Sequence, residues 1–151
     1  MGNTLVTIVP VILFFYLVFV LQLPFDIITN NIVHIVGVAL LISGGVLSQI
    51  AFKHIGYVNS DDFWRGRKVV KERTLTTNGP YKYIRHPLAF SMIVLYAGLV
   101  IIFFHPIPLV IYLAGTIFIV YTSFSEEKFM QKQFPKYSEY KKRTGMFLPK
   151  M

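Results

Sequence analysis

Long apolar stretches alternate with short polar connections along this chain. Residues 5–23 run 19 positions without a charge, 32–52 run 21 with only His34 titratable, 88–104 run 17 and 107–124 run 18. Crossing a bilayer core of about 30 Å takes roughly 20 helical residues. The first two stretches are long enough. The last two are slightly short, and their flanking residues extend them into the interface. The pattern predicts an all-α fold: an integral membrane bundle of four transmembrane helices in one domain spanning residues 1–151, with spans at about 5–23, 32–52, 88–104 and 107–124.

Charge placement orients these spans. All 15 Lys and Arg fall in two blocks, eight between Lys53 and Arg85 and seven between Lys128 and Lys150. Positive blocks beside spans mark the cytoplasmic side. The loop 53–86 and the tail are therefore expected inside, and the connections at 25–31 and around His105–Pro106 outside, with both termini cytoplasmic. The first stretch lacks a basic leader and a small-residue cleavage site, so it is expected to stay as a span rather than be removed as a signal peptide. Val6 stands where a myristoylation signal needs Ser or Thr.

Composition agrees. Apolar residues make up 54% of the chain, charged ones 15%, and the mean hydropathy is +0.57. This argues against a disordered chain and an ordinary soluble domain. A net charge of +8 would suggest nucleic acid in a soluble protein; interleaved with spans, it indicates a membrane surface and no nucleic-acid partner. With no cysteine there is no disulfide, thiolate metal site or cysteine nucleophile. His34, His54 and His105 sit near span ends without paired ligand spacing, so no metal is expected.

The third and fourth stretches are joined by a turn around His105, Pro106 and Pro108, which implies an antiparallel hairpin. Folding it about its midpoint sets position 86 level with 127. Arg85 and His86 should then face Glu126 and Glu127 at the cytoplasmic surface. Pro87 opens a helix whose first N–H groups are unpaired and carry partial positive charge. With Arg85 and His86 alongside, this end suits a carboxylate, and the two glutamates suit an ammonium group. An amino-acid headgroup carries both. Each of these residues taken alone reads as readily as an interfacial anchor or a cap.

Other features read as packing and anchorage. Ala39/Ser43 and Gly44/Ser48, at four-residue spacing, suggest a close helix-packing face. Pro10 reads as a tolerated kink in the first span. Asn78-Gly79-Pro80 is a turn signal; Tyr81 and Tyr83 beside it either lie at headgroup level or stack on a planar ligand. Residues 63–68 and the aromatic, basic tail 128–143 read as interfacial segments, the tail also as a possible lid on the site.

The run Gly79-Pro80-Tyr81-Lys82-Tyr83-Ile84-Arg85-His86-Pro87, followed by a hairpin, Glu126-Glu127, Phe134 and 137–143, resembles the isoprenylcysteine carboxyl methyltransferase group, in the membrane superfamily that includes phospholipid methyltransferases. The resemblance covers about residues 73–149. It implies an S-adenosyl-L-methionine-dependent methyltransferase acting on a lipid-like or lipidated, apolar acceptor at the membrane. It also implies that Arg73, Thr74, Leu75 and Thr76 line the cofactor, that Tyr81 contacts it, that His86, Pro87, Leu88 and Ala89 form its headgroup end, and that Glu126 supplies the acidic side. No G-x-G occurs, so a soluble dinucleotide-type cofactor site has no support.

The chain departs from the group at several positions. Arg73 stands where it often has His, Ala89 where it has Tyr, and Ser91 where it has Gly. Thr122 replaces an Arg that lies on the substrate side in prenylcysteine enzymes, so a prenylcysteine carboxylate lacks its expected partner. A carboxylate acceptor needs no base. An amine acceptor must lose a proton, with Glu127 the nearest candidate, and no dedicated catalytic residue is assigned. The alternative reading is a non-catalytic membrane scaffold or sensor that keeps the fold; a related sterol reductase is less suited to so short a chain.

Overall fold

A computed structural model describes residues 26–27, 31–55 and 75–150. The expected first span with Pro10, the anchor at 63–68, and Arg73 and Thr74 lie outside the described residues. The elements in chain order are strand β1 (Asp26–Ile27), helix α1 (Asn31–Ile55), a 3-10 turn (Gly79–Lys82), helix α2 (Pro87–Ile102), strand β2 (Phe103–Phe104), helix α3 (Pro106–Gln133) and helix α4 (Tyr137–Arg143). The described chain is mostly helical, and α1 and α3 are long and apolar enough to cross a membrane. The shorter α2 is also apolar.

Proline sets several boundaries. Pro87 starts α2 and Pro106 starts α3, positions where the missing N–H costs nothing. The His105 side chain caps α3 by accepting from the Ile107 N–H at 3.2 Å. At the other end Pro135 forces the preceding Phe134 into extended backbone, with φ −122° and ψ 107°. Helix α3 thus runs nine residues past the apolar stretch that ends at Phe124. At 1.5 Å per residue those turns project about 14 Å beyond it, and they carry Glu126 and Glu127.

The apolar stretch 88–104 is not helical throughout. Phe103 and Phe104 leave the helix and pair antiparallel with β1, Asp26 opposite Phe104 and Ile27 opposite Phe103. The ribbon is two residues a strand and is the one departure from helix expectation in this stretch; the described chain stays mostly helical. Its cause is local: His105 precedes a proline and is extended, with φ −154° and ψ 143°, and aromatic side chains suit strand geometry. The connection at 26–27 supplies the backbone partners. Pairing puts this connection and the His105 turn at the same end of the bundle.

Helices α1 and α2 pack antiparallel at unusually short range. A Cβ added to Gly44 would stand 2.6 Å from the Leu95 backbone, and one on Gly98 would stand 2.6 Å from the Gly37 carbonyl. Without a hydrophobic drive between helices in lipid, such close approach supplies the attraction through van der Waals contact. Gly37, Gly44, Ser48 and Ala51 are buried on this face. The expected Gly44/Ser48 pair belongs to it, but Ala39 and Ser43 are exposed. Ser43 lies about a third of a turn away and Ala39 nearly half a turn, and the buried row follows a spacing of seven and four from Gly37. By contrast α3 leaves Val110, Ile111, Leu113, Ile117, Phe118, Tyr121 and Phe124 exposed, an apolar surface along its whole upper length.

Candidate functional site

The end of the bundle opposite the β ribbon holds the charged cluster. Gly79 opens it. Its φ is +58°, a left-handed conformation that favours glycine, and any Cβ there would collide with the His54 ring at the end of α1. The turn sets Tyr81 inward, buried, and delivers Ile84, Arg85 and His86 to the start of α2.

The tail closes over this segment. Ile84 and Gly145 form a parallel bridge. The backbone N–H groups of Arg85 and His86 donate to the carbonyls of Gly145 (2.9 Å) and Met146 (3.1 Å), and Gly145 N–H donates to Tyr83 O (3.2 Å). Tyr140 Oη donates to the Tyr81 carbonyl at 2.6 Å. Phe147 lies against the His86 ring, centroids 6.0 Å apart. The tail is therefore docked on the loop rather than solely a surface segment.

Glu127 is the centre of the charges. Its side chain is only 4% exposed, with Arg85 Nε 2.6 Å from one carboxylate oxygen and Lys141 Nζ 2.7 Å from the other. Burial alone pushes the Glu127 carboxyl upward, but hydrogen bonds from Lys141 and Arg85 and their charges outweigh it and hold the group below its ordinary range. Arg85 also donates to the carbonyls of Thr144 and Lys141, so one guanidinium ties α2, α3 and the tail together.

His86 lies between the two glutamates. Nδ1 is 3.5 Å from Glu126 Oε2, and Nε2 is 3.6 Å from Glu127 Oε1. Nε2 is buried and makes no hydrogen bond within the described residues. Glu126 is 60% exposed, unlike its neighbour. Beside them, burial pushes the phenol pKa of Tyr81 upward, helped by Tyr140 and Glu126. That of Tyr137 is also raised, chiefly by burial.

The structure thus brings together Tyr81, His86, Pro87 and Glu126 among the residues singled out in the sequence. Leu88 and Ala89 follow half-buried in the first turn of α2. Leu75 and Thr76 lie half-buried in irregular chain before the turn, with no side-chain hydrogen bond to the cluster. Ser91, fully buried, folds its hydroxyl back to Leu88 O at 2.7 Å. Thr122 likewise turns back onto its own helix, bonding Phe118 O and Ile119 O. The sequence placed Lys141 only within the interfacial tail 128–143, and it assigned no role to Thr144, Gly145 or Phe147. The alternation of Tyr137, Tyr140 and Thr144 at helical spacing was the available signal for a docked tail.

The sequence model of the phospholipid methyltransferase family matches residues 32–137. The chain belongs to the phospholipid methyltransferase family. The match runs from α1 into α4 and includes the whole Tyr81, Arg85, His86, Glu126 and Glu127 cluster. This family lies within the membrane superfamily named above by resemblance, and together with the apolar helices it indicates membrane association. No curated protein and no solved structure matches the chain.

Proposed function

We propose that this protein is a multi-pass membrane methyltransferase that uses S-adenosyl-L-methionine and acts on a phospholipid or similar lipid acceptor. Its single domain holds four spans, with both termini and the charged cluster on the cytoplasmic side. The observation that carries the reading is His86 at the start of a helix, its buried Nε2 without a hydrogen bond among the described residues and its Nδ1 3.5 Å from the accessible Glu126, in a chain of this family.

The residues fit the headgroup of that cofactor. The first turn of α2 with His86 offers donors to a carboxylate, Glu126 offers an acceptor to an ammonium, and Tyr81 offers an aromatic face. Arg73, Thr74, Leu75, Thr76, Leu88 and Ala89 complete the proposed lining. When bound, the cofactor supplies a methyl group on a sulfonium, already strongly electrophilic. The protein's part is to hold, align and exclude water. Phe147 and the docked tail cover the His86 side.

Glu127 is poorly suited to take a proton from an amine acceptor. Arg85 and Lys141 occupy both of its oxygens and favour its ionised form, which makes it a weak base. Glu126, exposed beside His86, is the better placed carboxylate. Thr122, with its hydroxyl turned to the helix backbone, provides no cation for a substrate carboxylate, which favours a phospholipid over prenylcysteine.

The test is transfer of radiolabel from S-adenosyl-L-methionine by detergent-purified full chain, offered phosphatidylethanolamine, total membrane lipid or a prenylcysteine analogue. Labelled phospholipid is expected. Cofactor binding without transfer to any lipid would overturn the enzymatic reading, and strong transfer to prenylcysteine alone would overturn the substrate reading.

A further inference from the structure

A concavity lies beside Arg85. It is open-mouthed, about 480 Å³, and lined by Arg85, Gln131, Ser138, Lys141, Lys142, Thr144, Gly145 and Lys150. Tyr81, His86 and Glu126 do not line it. Four lining side chains are cationic and none is acidic. The nearest carboxylate, Glu127, is already committed to Arg85 and Lys141. Among the described residues no carboxylate pairs with Lys142 or Lys150, and Lys150 Nζ is steadied at the rim by donating to Lys142 O at 3.0 Å. Ser138 and Gln131 add neutral donors between the cations.

We propose that this cavity binds a phosphate monoester, the headgroup chemistry of an anionic phospholipid, at a site separate from the methyl-transfer cluster. The donor set matches: Arg85 and Lys141 share the single carboxylate of Glu127, Lys142 and Lys150 have no carboxylate partner among the described residues, and this net positive charge with the Ser138 and Gln131 donors suits a compact dianion with several acceptor oxygens. Its height matches as well. Gln131 lies seven residues beyond Phe124 on α3, about 10 Å past the apolar stretch at 1.5 Å per residue, at the outer edge of a headgroup layer roughly 5–8 Å deep, which long lysine side chains reach. Occupancy would bridge α3 to the tail that closes over His86, so the bound lipid would steady that closure. The same chemistry comes from a lipid or from free phosphate, and the height favours the lipid.

Binding to detergent-purified full chain by microscale thermophoresis tests this, with dihexanoyl phosphatidic acid, inorganic phosphate and zwitterionic dihexanoyl phosphatidylcholine as probes. The double variant Lys142→Gln/Lys150→Gln changes only exposed side chains; Lys128→Gln, outside the cavity, is the control. Phosphatidic acid is expected to bind more tightly than phosphatidylcholine. The double variant should weaken it by roughly tenfold or more, taking about 1 kcal/mol per basic residue near a membrane surface, and Lys128→Gln should leave it unchanged. Inorganic phosphate binding as tightly as phosphatidic acid, and lost in the same double variant, would keep the site and overturn the lipid as its source. Equal binding of phosphatidic acid and phosphatidylcholine, or undiminished binding by the double variant with its helical circular dichroism intact, would overturn the site.

Discussion

Adjacent glutamates at 126 and 127 have opposite environments, and the difference separates structure from chemistry. Glu127 is buried between Arg85 and Lys141, so removing its charge leaves a buried guanidinium without a partner. Glu127→Ala should therefore lower stability by about 3–5 kcal/mol, read as the melting temperature of purified protein. Lys141→Ala should cost far less, because Lys141 is 42% exposed and solvent screens its charge. The pH dependence follows from the direction of the shift. Glu127 ionises more readily in the folded chain than in the unfolded one, so its contribution is complete above the ordinary value of 4.5 and disappears as pH falls through the lower folded value. Melting curves between pH 7 and pH 3 should show a loss of stability that is smaller in Glu127→Gln. His86→Ala acts elsewhere. It removes a donor to the proposed cofactor carboxylate while leaving the Arg85–Glu127 pair intact. Calorimetric titration with S-adenosyl-L-methionine should show affinity reduced about ten- to a hundredfold, the value of a charge-assisted hydrogen bond of roughly 1.5–3 kcal/mol. An unchanged affinity would remove His86 from the cofactor site.

The elements show what a sequence carries well and what it does not. Two of the four expected spans, 32–52 and 107–124, fall in helices long and apolar enough to cross a membrane; they were legible because a bilayer demands one number, a run of apolar residues long enough to cross it. The meeting of Arg85 and His86 with Glu126 and Glu127 was legible because a short turn leaves little freedom in how far along two helices residues stand level. The helix-packing face was only half legible. Small residues at four-residue spacing occur on more than one side of α1, and only the partner decides which side is used: Gly44 and Ser48 meet α2, whereas Ala39 and Ser43 do not. The docking of the tail was only partly legible: the lid reading and the helical spacing of Tyr137, Tyr140 and Thr144 pointed to it, but the backbone hydrogen bonds from Arg85 and His86 to Gly145 and Met146 leave no mark in side-chain pattern. The β ribbon was hidden for a related reason: two phenylalanines at the end of an apolar run look the same in a helix as in a strand. The packing face yields a prediction of its own. A methyl group added at Gly98 must displace the Gly37 backbone, so Gly98→Ala should cost about 1–3 kcal/mol. At Gly115 of α3 nothing lies within 4 Å of an added Cβ, and Gly115→Ala should be neutral or gain up to about 1 kcal/mol from helix propensity. Melting temperatures of the two variants should move in opposite directions, or one alone should fall.

For the molecule as a whole, the separation of its two ends is the organising feature. One end carries the β1–β2 ribbon and the His105 cap; the other carries every described Lys and Arg together with the charged cluster. Under the proposed function a polar cofactor would reach the site from water and an apolar acceptor along lipid, past the exposed apolar surface of α3. This arrangement works only if the basic end faces the compartment that supplies the cofactor, the orientation that the placement of positive charge predicts. The native chain has no cysteine, so single introduced cysteines report sidedness without background. In sealed, right-side-out cells or spheroplasts, Ser138→Cys in α4 should be protected from a membrane-impermeant maleimide until the membrane is opened. Asn30→Cys, one residue before α1 begins in the sequence, should label from outside at once. Labelling of Asn30→Cys only after permeabilisation, with Ser138→Cys reacting in intact cells, would invert the molecule. It would place the cluster on the side away from cytoplasmic cofactor, and a methyl-transfer function would then no longer follow from the position of His86 and Glu126.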